Sequence, residues 1–121
     1  MRAADASSLD LAERLAETCY AMNAESAAGL APEAVAASAG PLRPWPGEGD
    51  WRQRPETLES LFYLWRATKR PRYRRWALRI LAAVQRGAFV PSSGGYAVVA
   101  DVRRPGSLAD TQHSFLLAEV L

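Results

Sequence analysis

Cysteine and histidine each occur only once in this 121-residue chain, as Cys19 and His113. A structural zinc site takes about four Cys or His ligands at close spacing, so the chain lacks the residues for a zinc cluster. A lone cysteine cannot form a disulfide bond within the chain, and Cys19 is expected as a free thiol on an apolar helix face. Its presence therefore says nothing firm about the redox compartment.

Long apolar runs and phosphate-binding loops are also absent. No stretch reaches the roughly 18 apolar residues that a membrane-spanning helix needs, and the first residues lack the apolar core of a signal peptide. The Ser-Ser-Gly-Gly stretch at 92–95 has no lysine and no helical pattern after it, which excludes a P-loop. Ser60 and Ser114 lack the pattern of a nucleophile elbow. Carboxylates remain as the candidates for chemistry.

Charge is split between the two halves of the chain. Residues 1–50 carry 3 Lys/Arg against 8 Asp/Glu, whereas residues 51–121 carry 12 against 5. Basic residues between 66 and 79 are interleaved with aromatic rings, a combination that can form a nucleic-acid surface. Arginines around two helices joined by a turn are more typical of a solvated face, and the rings fall on the apolar stripe. We therefore expect no nucleic-acid partner.

Helical periodicity dominates the chain and predicts an all-α fold. Ser7 or Ser8 is expected to cap a first helix that ends near Gly29, with apolar positions at Leu11, Leu15, Cys19 and Met22. The proline-rich and glycine-rich stretch 40–50 predicts an irregular loop. Two helices follow, at 55–68 and 71–86, and their short connection predicts an antiparallel αα-hairpin.

The apolar stripes of this hairpin identify the residues expected in the core. They are Leu58, Leu61, Phe62 and Trp65 in the first helix, and Tyr73, Trp76, Ala77, Ile80, Leu81 and Val84 in the second. Weak alternation predicts a short strand or β-hairpin near 94–102, and a last helix is expected to start near Asp110. Four helices with no short repeat period exclude a solenoid.

Two glutamates stand at the start of the second predicted helix. Pro55 is tolerated in a first helical turn, where its missing N–H would have no partner, so Glu56 and Glu59 follow just inside the helix. At this spacing both carboxylates lie on one face, at the helix end where the dipole favours negative charge. Such a carboxylate suits the role of a general base, although acidic residues are also ordinary at helix starts. Local features alone leave both interpretations open.

The segments around these glutamates resemble glycoside hydrolase family 47, the class I α-1,2-mannosidases. Five segments stand in the family's order: AETCYAMNAESAAGLAPE at 16–33, RPETLESLFYLWRAT at 54–68, RYRRW at 72–76, GGYAVVADV at 94–102 and DTQHSFLLAE at 110–119. The resemblance covers the chain from about Leu9 onward. It implies the C-terminal helical hairpins of an incomplete (α/α)7 barrel.

Catalytic roles are implied by the same resemblance. It points to inverting hydrolysis of α-1,2-linked mannose from high-mannose N-glycans, with Glu56 as the general base acting on a water. Arg54 and Glu59 would line the sugar pocket. A bound calcium would help hold the sugar and the water, but its threonine ligand belongs to a motif beyond this chain. Glycoside hydrolysis needs two carboxylates with opposed protonation, and the acid is expected upstream of this chain.

Two further positions take expected roles from the resemblance. His113 aligns with a position where most members carry glutamate near the calcium and its waters, although a lone histidine near a helix start is as often a solvated or core residue. Secretory members place a disulfide-forming cysteine at the position of Cys19, and its partner would lie upstream of Met1. The resemblance also implies the lumen of the endoplasmic reticulum or Golgi, a high-mannose glycan as partner, and no transmembrane segment in this chain.

We expect residues 1–121 to be part of a glycosidase catalytic domain that is truncated at both ends. The helical pattern from Ser114 onward reaches no stop signal, and the implied barrel is several times longer than this chain. The chain alone is therefore not expected to hydrolyse glycans.

Three alternatives stay open. A non-catalytic relative that binds mannose glycans in glycoprotein quality control would share Arg54 and Glu56. A different (α/α)-barrel glycosidase would place its acids elsewhere, and a nucleic-acid module would show affinity that falls steeply with salt.

Overall fold

The computed structural model describes residues 6–36 and 40–120. About half of the chain is helical, with two small antiparallel strand pairs. The elements in chain order are α1 (Ala6–Ala24), β1 (Val35–Ala36), β2 (Arg43–Pro44), α2 (Glu56–Thr68), α3 (Pro71–Gly87), β3 (Phe89–Val90), β4 (Gly95–Tyr96) and a π-helical turn (Leu116–Val120).

The predicted αα-hairpin is confirmed by α2 and α3, which pack against each other. Lys69 adopts the left-handed conformation with φ of 57° and donates its backbone N–H to the carbonyl of Trp65 at 2.8 Å. The chain then extends at Arg70, whose N–H bonds to Thr68 Oγ1 at 3.2 Å, and Pro71 opens α3. A left-handed cap followed by proline ends one helix and starts the next within three residues.

The hydrophobic core lies between this hairpin and the segments that flank it in the chain. Fully buried apolar side chains come from α2 and α3, from the turn after α1 and from the segment after β4. The largest are Tyr73, Leu30, Leu61, Leu116, Val84, Val99 and Val102. Each such aliphatic side chain stabilises the fold by about 1.5–3 kcal/mol relative to an exposed one.

The sequence identified the two helices of the hairpin correctly but not all of the buried helix faces, and α1 ends at Ala24 rather than near Gly29. Leu15, expected on the apolar stripe of α1, is 58% exposed, and the side of α1 packed on the core carries Ala12, Ala16 and Tyr20 instead. Phe62 of α2 is 50% exposed, because Leu61 faces the core and neighbouring helical residues point about 100° apart. The expected serine caps are also wrong, since both serines lie inside α1.

The strands and the last helix differ from the sequence-based expectation. The stretch 40–50 contains β2, which pairs with β1 in the register Val35↔Pro44, so it is not wholly irregular. The expected β-hairpin is present but earlier, with Phe89 opposite Tyr96. Helical structure resumes at residue 114 rather than near 110, because residues 109 and 111 form backbone hydrogen bonds with Val98.

A charged network around Tyr73 fastens α1 to α3. The buried Tyr73 Oη donates to Glu13 Oε1 at 2.7 Å and accepts from Arg72 Nη2 at 2.7 Å. Arg70 Nη1 donates to the same carboxylate, and Arg72 Nη1 donates to Glu17 at 2.9 Å. The hydrogen bond from Tyr73, opposed by partial burial and supported by Arg70, lowers the pKa of Glu13, and burial raises the pKa of Tyr73.

Removing the Tyr73 hydroxyl should therefore weaken the contact between α1 and α3. Tyr73→Phe keeps the buried ring but deletes a hydrogen bond to a charged group, a change that costs about 1.5–3 kcal/mol. Urea unfolding followed by circular dichroism measures the change in the free energy of unfolding. Tyr63→Phe is the matched control, because Tyr63 is exposed on α2, and equal stability of the two variants would contradict the role given to the network.

A second anchor is Asp101, in the segment that follows β4. Its buried carboxylate accepts hydrogen bonds from Arg103 N and Nε at 3.0 and 2.9 Å and from Arg104 Nε at 3.1 Å. The side-chain hydrogen bond from Arg103, followed by that from its backbone N–H, holds the pKa of Asp101 well below its usual range. Val102, the next residue, bonds through its N–H to the carbonyl of Gly49, so this turn supports the segment that leads into α2.

Acid should release the stabilisation that Asp101 provides. Because its pKa in the folded chain lies below that in the unfolded chain, the contribution is complete above about pH 4 and is lost as pH falls through the folded-state value. We expect the free energy of unfolding to fall below pH 4 more steeply for the parent chain than for Asp101→Asn. Asp110→Asn, at an exposed aspartate, should keep the parent pH dependence.

Candidate active site

The first part of the site is the loop that enters α2. Pro55 is buried at the helix start, and its carbonyl accepts the N–H of Glu59 at 3.1 Å. The loop before it reaches α2 through Gln53, which has φ of +63°. Arg54 and Glu56 therefore flank a fixed proline, and both side chains are exposed beside the helix N-terminus.

The second part is the turn after α1, which carries Glu33. The buried Asn23 side chain accepts the N–H of Ala31 at 2.9 Å, and Ser26 Oγ bonds both the N–H and the carbonyl of Leu30. Gly29 has φ of +72°, and a Cβ there would lie 3.0 Å from that of Ala83, so the turn depends on glycine. These contacts hold the segment that ends at Glu33 against α3.

A cleft of about 340 Å³ opens where the two parts meet. Its charged lining consists of Glu33, Arg52, Arg54 and Glu56, and its other walls come from α1, α2 and α3. The remaining lining residues are Cys19, Met22, Asn23, Ala31, Pro32, Trp51, Thr57, Leu58 and Ile80. An opening with apolar walls and a few convergent charged groups is the usual form of a small-molecule site.

Arg54 joins the two carboxylates of the cleft. Its Nε donates to both oxygens of Glu33 at 3.0 Å, and its Nη2 donates to Oε1 of the same glutamate. Its Nη1 lies 3.9 Å from Glu56 Oε1. The hydrogen bond with Glu33 raises the pKa of Arg54. Arg52 approaches the same glutamate at 3.5 Å and is itself held by Asp50 at 2.6 Å. The guanidinium of Arg54 is therefore held in one orientation at the cleft wall.

The two cleft glutamates differ in environment. The side chain of Glu33 is only 14% exposed and is paired with both arginines, whereas that of Glu56 is 64% exposed. A carboxylate that must take a proton from water needs open access to that water. Glu56 has this access at the first position of α2, and Glu33 serves to orient Arg54.

Of the other residues expected at the site, Cys19 lines this cleft, whereas Glu59 and His113 do not. Cys19 is a free, half-buried cysteine in the cleft wall. Glu59 is exposed one turn along α2 and is not among the lining residues of the cleft. His113 donates its backbone N–H to Gln53 Oε1 at 2.6 Å, and its ring stacks on Phe115 at a centroid distance of 4.9 Å.

Sequence reasoning did not assign roles to two of the charged residues in the cleft, Glu33 and Arg52. Glu33 was visible only as the end of the AETCYAMNAESAAGLAPE segment, and nothing local indicates that it meets Arg54, which lies 21 residues further on. Arg52 had a weak signal, since Glu48 stands four residues before it and Asp50 two before it. The ion pairs of Glu33 with Arg54 and with Arg52 both depend on the fold.

The described residues contain neither a cluster of metal-binding side chains nor a helix able to cross a membrane. Within 6–36 and 40–120, no group of three or more His, Cys, Asp and Glu side chains could hold a metal ion. In the same part of the chain, no helix combines the length and the apolar character needed to cross a bilayer.

Comparison with known proteins shows similarity over nearly the whole chain. The model of glycosyl hydrolase family 47 matches residues 1–121. The human endoplasmic reticulum mannosyl-oligosaccharide 1,2-alpha-mannosidase is 41% identical over 96% of this chain, and the mouse mannosyl-oligosaccharide 1,2-alpha-mannosidase IB is 37% identical over 93%. This chain spans about 18% of the length of each of these relatives.

The fold is similar to that of a solved enzyme structure. The alpha-1,2-mannosidase from Trichoderma reesei superposes with a TM-score of 0.83 over 94% of this chain and 27% of its own, at 24% sequence identity. This match confirms the expected fold, the helical hairpins of an (α/α)7 barrel. With the family model matching from the first residue to the last, the chain belongs to glycosyl hydrolase family 47.

Proposed function

We propose that this chain contributes part of the sugar site of a mannosyl-oligosaccharide 1,2-α-mannosidase. The enzyme would hydrolyse α-1,2-linked mannose from high-mannose N-glycans with inversion at the anomeric carbon. The observation that supports this function most is the cleft in which Arg54 joins Glu33 to Glu56, in a chain of family 47. The relatives named above carry this activity in their names.

Glu56 is the proposed general base. It would take a proton from a water as that water attacks the anomeric carbon, while the bond to the leaving oxygen breaks and that oxygen takes a proton from an acid outside this chain. Arg54 and Glu59 would bind sugar hydroxyls, since guanidinium groups donate and carboxylates accept hydrogen bonds. Of these three, Arg54 and Glu56 line the cleft, which supports their assignment more than that of Glu59.

Replacing Glu56 should remove hydrolysis while leaving glycan binding measurable. The test uses a chimera in which this chain replaces the matching segment of the human relative, because that protein supplies the rest of the barrel. A general base contributes about 10²–10⁴ in rate, so Glu56→Gln should lower kcat by that factor. Mannose release from a high-mannose glycan measures kcat, and calorimetry measures binding.

Two controls make this result specific. Glu119→Gln replaces an exposed glutamate outside the cleft lining. This variant should keep the folding, the glycan binding and the kcat of the parent chimera. Glu33→Gln should weaken binding as well as turnover, because Arg54 and Arg52 both lose a partner. If Glu33→Gln lost turnover alone while Glu56→Gln stayed active, the base would be Glu33 and the assignment of Glu56 would be wrong.

Calcium is proposed as a partner of the complete site. Within the described residues, no group of three or more His, Cys, Asp and Glu side chains could hold the ion, and the family resemblance places its threonine ligand outside this chain. When bound, calcium would supply positive charge that holds sugar oxygens and waters. His113 is proposed as a neighbour of that site, on the ground of its place in the DTQHSFLLAE segment.

His113→Glu should then tighten calcium binding by the chimera. A carboxylate adds one negative charge near a dication, and oxygen ligands are the ones that calcium prefers. Titration calorimetry should show a higher calcium affinity in the variant. Equal affinity of the two proteins would place His113 away from the metal.

A secretory-pathway location accompanies the proposed activity, in the endoplasmic reticulum or the Golgi lumen. The name of the human relative supports the endoplasmic reticulum. In such a compartment Cys19 would form a disulfide with a cysteine outside this chain. If the parent chimera binds high-mannose glycans without releasing mannose, the non-catalytic alternative replaces the enzyme. Binding of nucleic acid with an affinity that falls steeply as salt rises would instead favour the nucleic-acid alternative.

A further inference from the structure

Gln53 combines two features that are rarely found together in a loop residue. Its side chain is fully buried, although glutamine is mostly exposed in folded proteins. Its backbone has φ of +63°, a left-handed conformation that residues other than glycine seldom adopt. Residues are held in such a conformation only where the surrounding structure enforces it, and such residues concentrate at functional sites.

Both ends of the Gln53 amide are used by distant parts of the chain. Its Oε1 accepts the backbone N–H of His113 at 2.6 Å, across 60 residues of sequence. Its Nε2 donates to the carbonyl of Tyr96 at 3.4 Å, across 43 residues. One side chain therefore joins three segments: the loop that enters α2, strand β4 and the stretch before the π-helical turn.

The position of Gln53 connects these bonds to the cleft. Gln53 is not among the cleft-lining residues, but it directly precedes Arg54 and stands three residues before Glu56. With Pro55 fixing the backbone between them, the direction in which the chain leaves Gln53 decides where both side chains reach the cleft. On the other side, the same amide holds the backbone at His113.

We propose that Gln53 is a positioning residue for the mannosidase site, which it organises by bonding the loop of Arg54 and Glu56 to the backbone of Tyr96 and His113. This inference rests on the proposed function. Gln53 makes no contact with substrate in this scheme. It acts through Arg54 and Glu56, whose displacement by about 1 Å can lower turnover about 10²-fold.

Two variants separate the side-chain bonds from the backbone conformation. Gln53→Gly accepts the left-handed backbone without strain but removes both hydrogen bonds. Gln53→Leu fills the buried volume but leaves the N–H of His113 without its acceptor. Gln85→Leu is the matched control, because Gln85 is exposed on α3. Among the described contacts, its Oε1 accepts one hydrogen bond, from the hydroxyl of Tyr96.

Hydrogen exchange tests the connection without relying on activity. In the chimera, exchange at His113, read by mass spectrometry with fragmentation to single residues, should accelerate about tenfold in both Gln53 variants, since one net hydrogen bond is lost. The Gln85 variant should keep the parent rate. Unchanged exchange at His113 in the Gln53 variants would overturn the proposal.

Kinetics then test positioning as opposed to stability alone. In the same proteins kcat should fall about 10²-fold in both Gln53 variants, while KM stays near the parent value at a temperature where each variant is fully folded. Faster exchange at His113 with parent kcat would overturn the positioning role. An inactive parent chimera would overturn the proposed mannosidase function instead, and the exchange result would still decide whether Gln53 connects these segments.

Discussion

The pairing of acidic groups from the first half of the chain with arginines from the second half is the interaction on which the rest of the structure depends. Glu13 bonds Arg70, and Glu33 bonds Arg54. Both glutamates have side chains about 15% exposed or less, so each would be costly to leave unpaired. Part of the opposite charge of the two halves, visible in the composition, is thus used in ion pairs between them.

Two further residues of α3, Arg72 and Trp76, connect the α2–α3 hairpin to α1. Arg72 lies over the rings of Tyr73 and Trp76, at 4.8 and 5.5 Å from the centroids, and Trp76 stacks on Tyr20 of α1 at 4.4 Å. Arginine suits this role because its flat guanidinium bonds carboxylates and stacks on rings at the same time. Part of the mixture of basic and aromatic residues between 66 and 79 therefore joins helices, through Arg72 and Trp76.

Much of the helical fold was predictable because its signals are local. Pro55 and Pro71 mark the starts of α2 and α3, and α3 ends at Gly87, a residue that commonly stops a helix. The short strands carried no comparable signal. In β1 and β2 only two residues of each strand pair, and two residues are too few for an alternating pattern to show in the sequence. The exposed Leu15 shows the same limit, since apolar periodicity reveals a helix but not which of its faces meets the core.

The sequence by itself determined the family resemblance, the αα-hairpin and the placement of Arg54 and Glu56 at a helix start, because each depends on residues within a few positions of one another. Only the tertiary structure decided which groups surround them. Glu33 meets Arg54 across 21 residues, and Gln53 reaches His113 across 60. No local pattern encodes such contacts, because they form only when separately folded segments pack against a shared core and their buried polar groups must find partners.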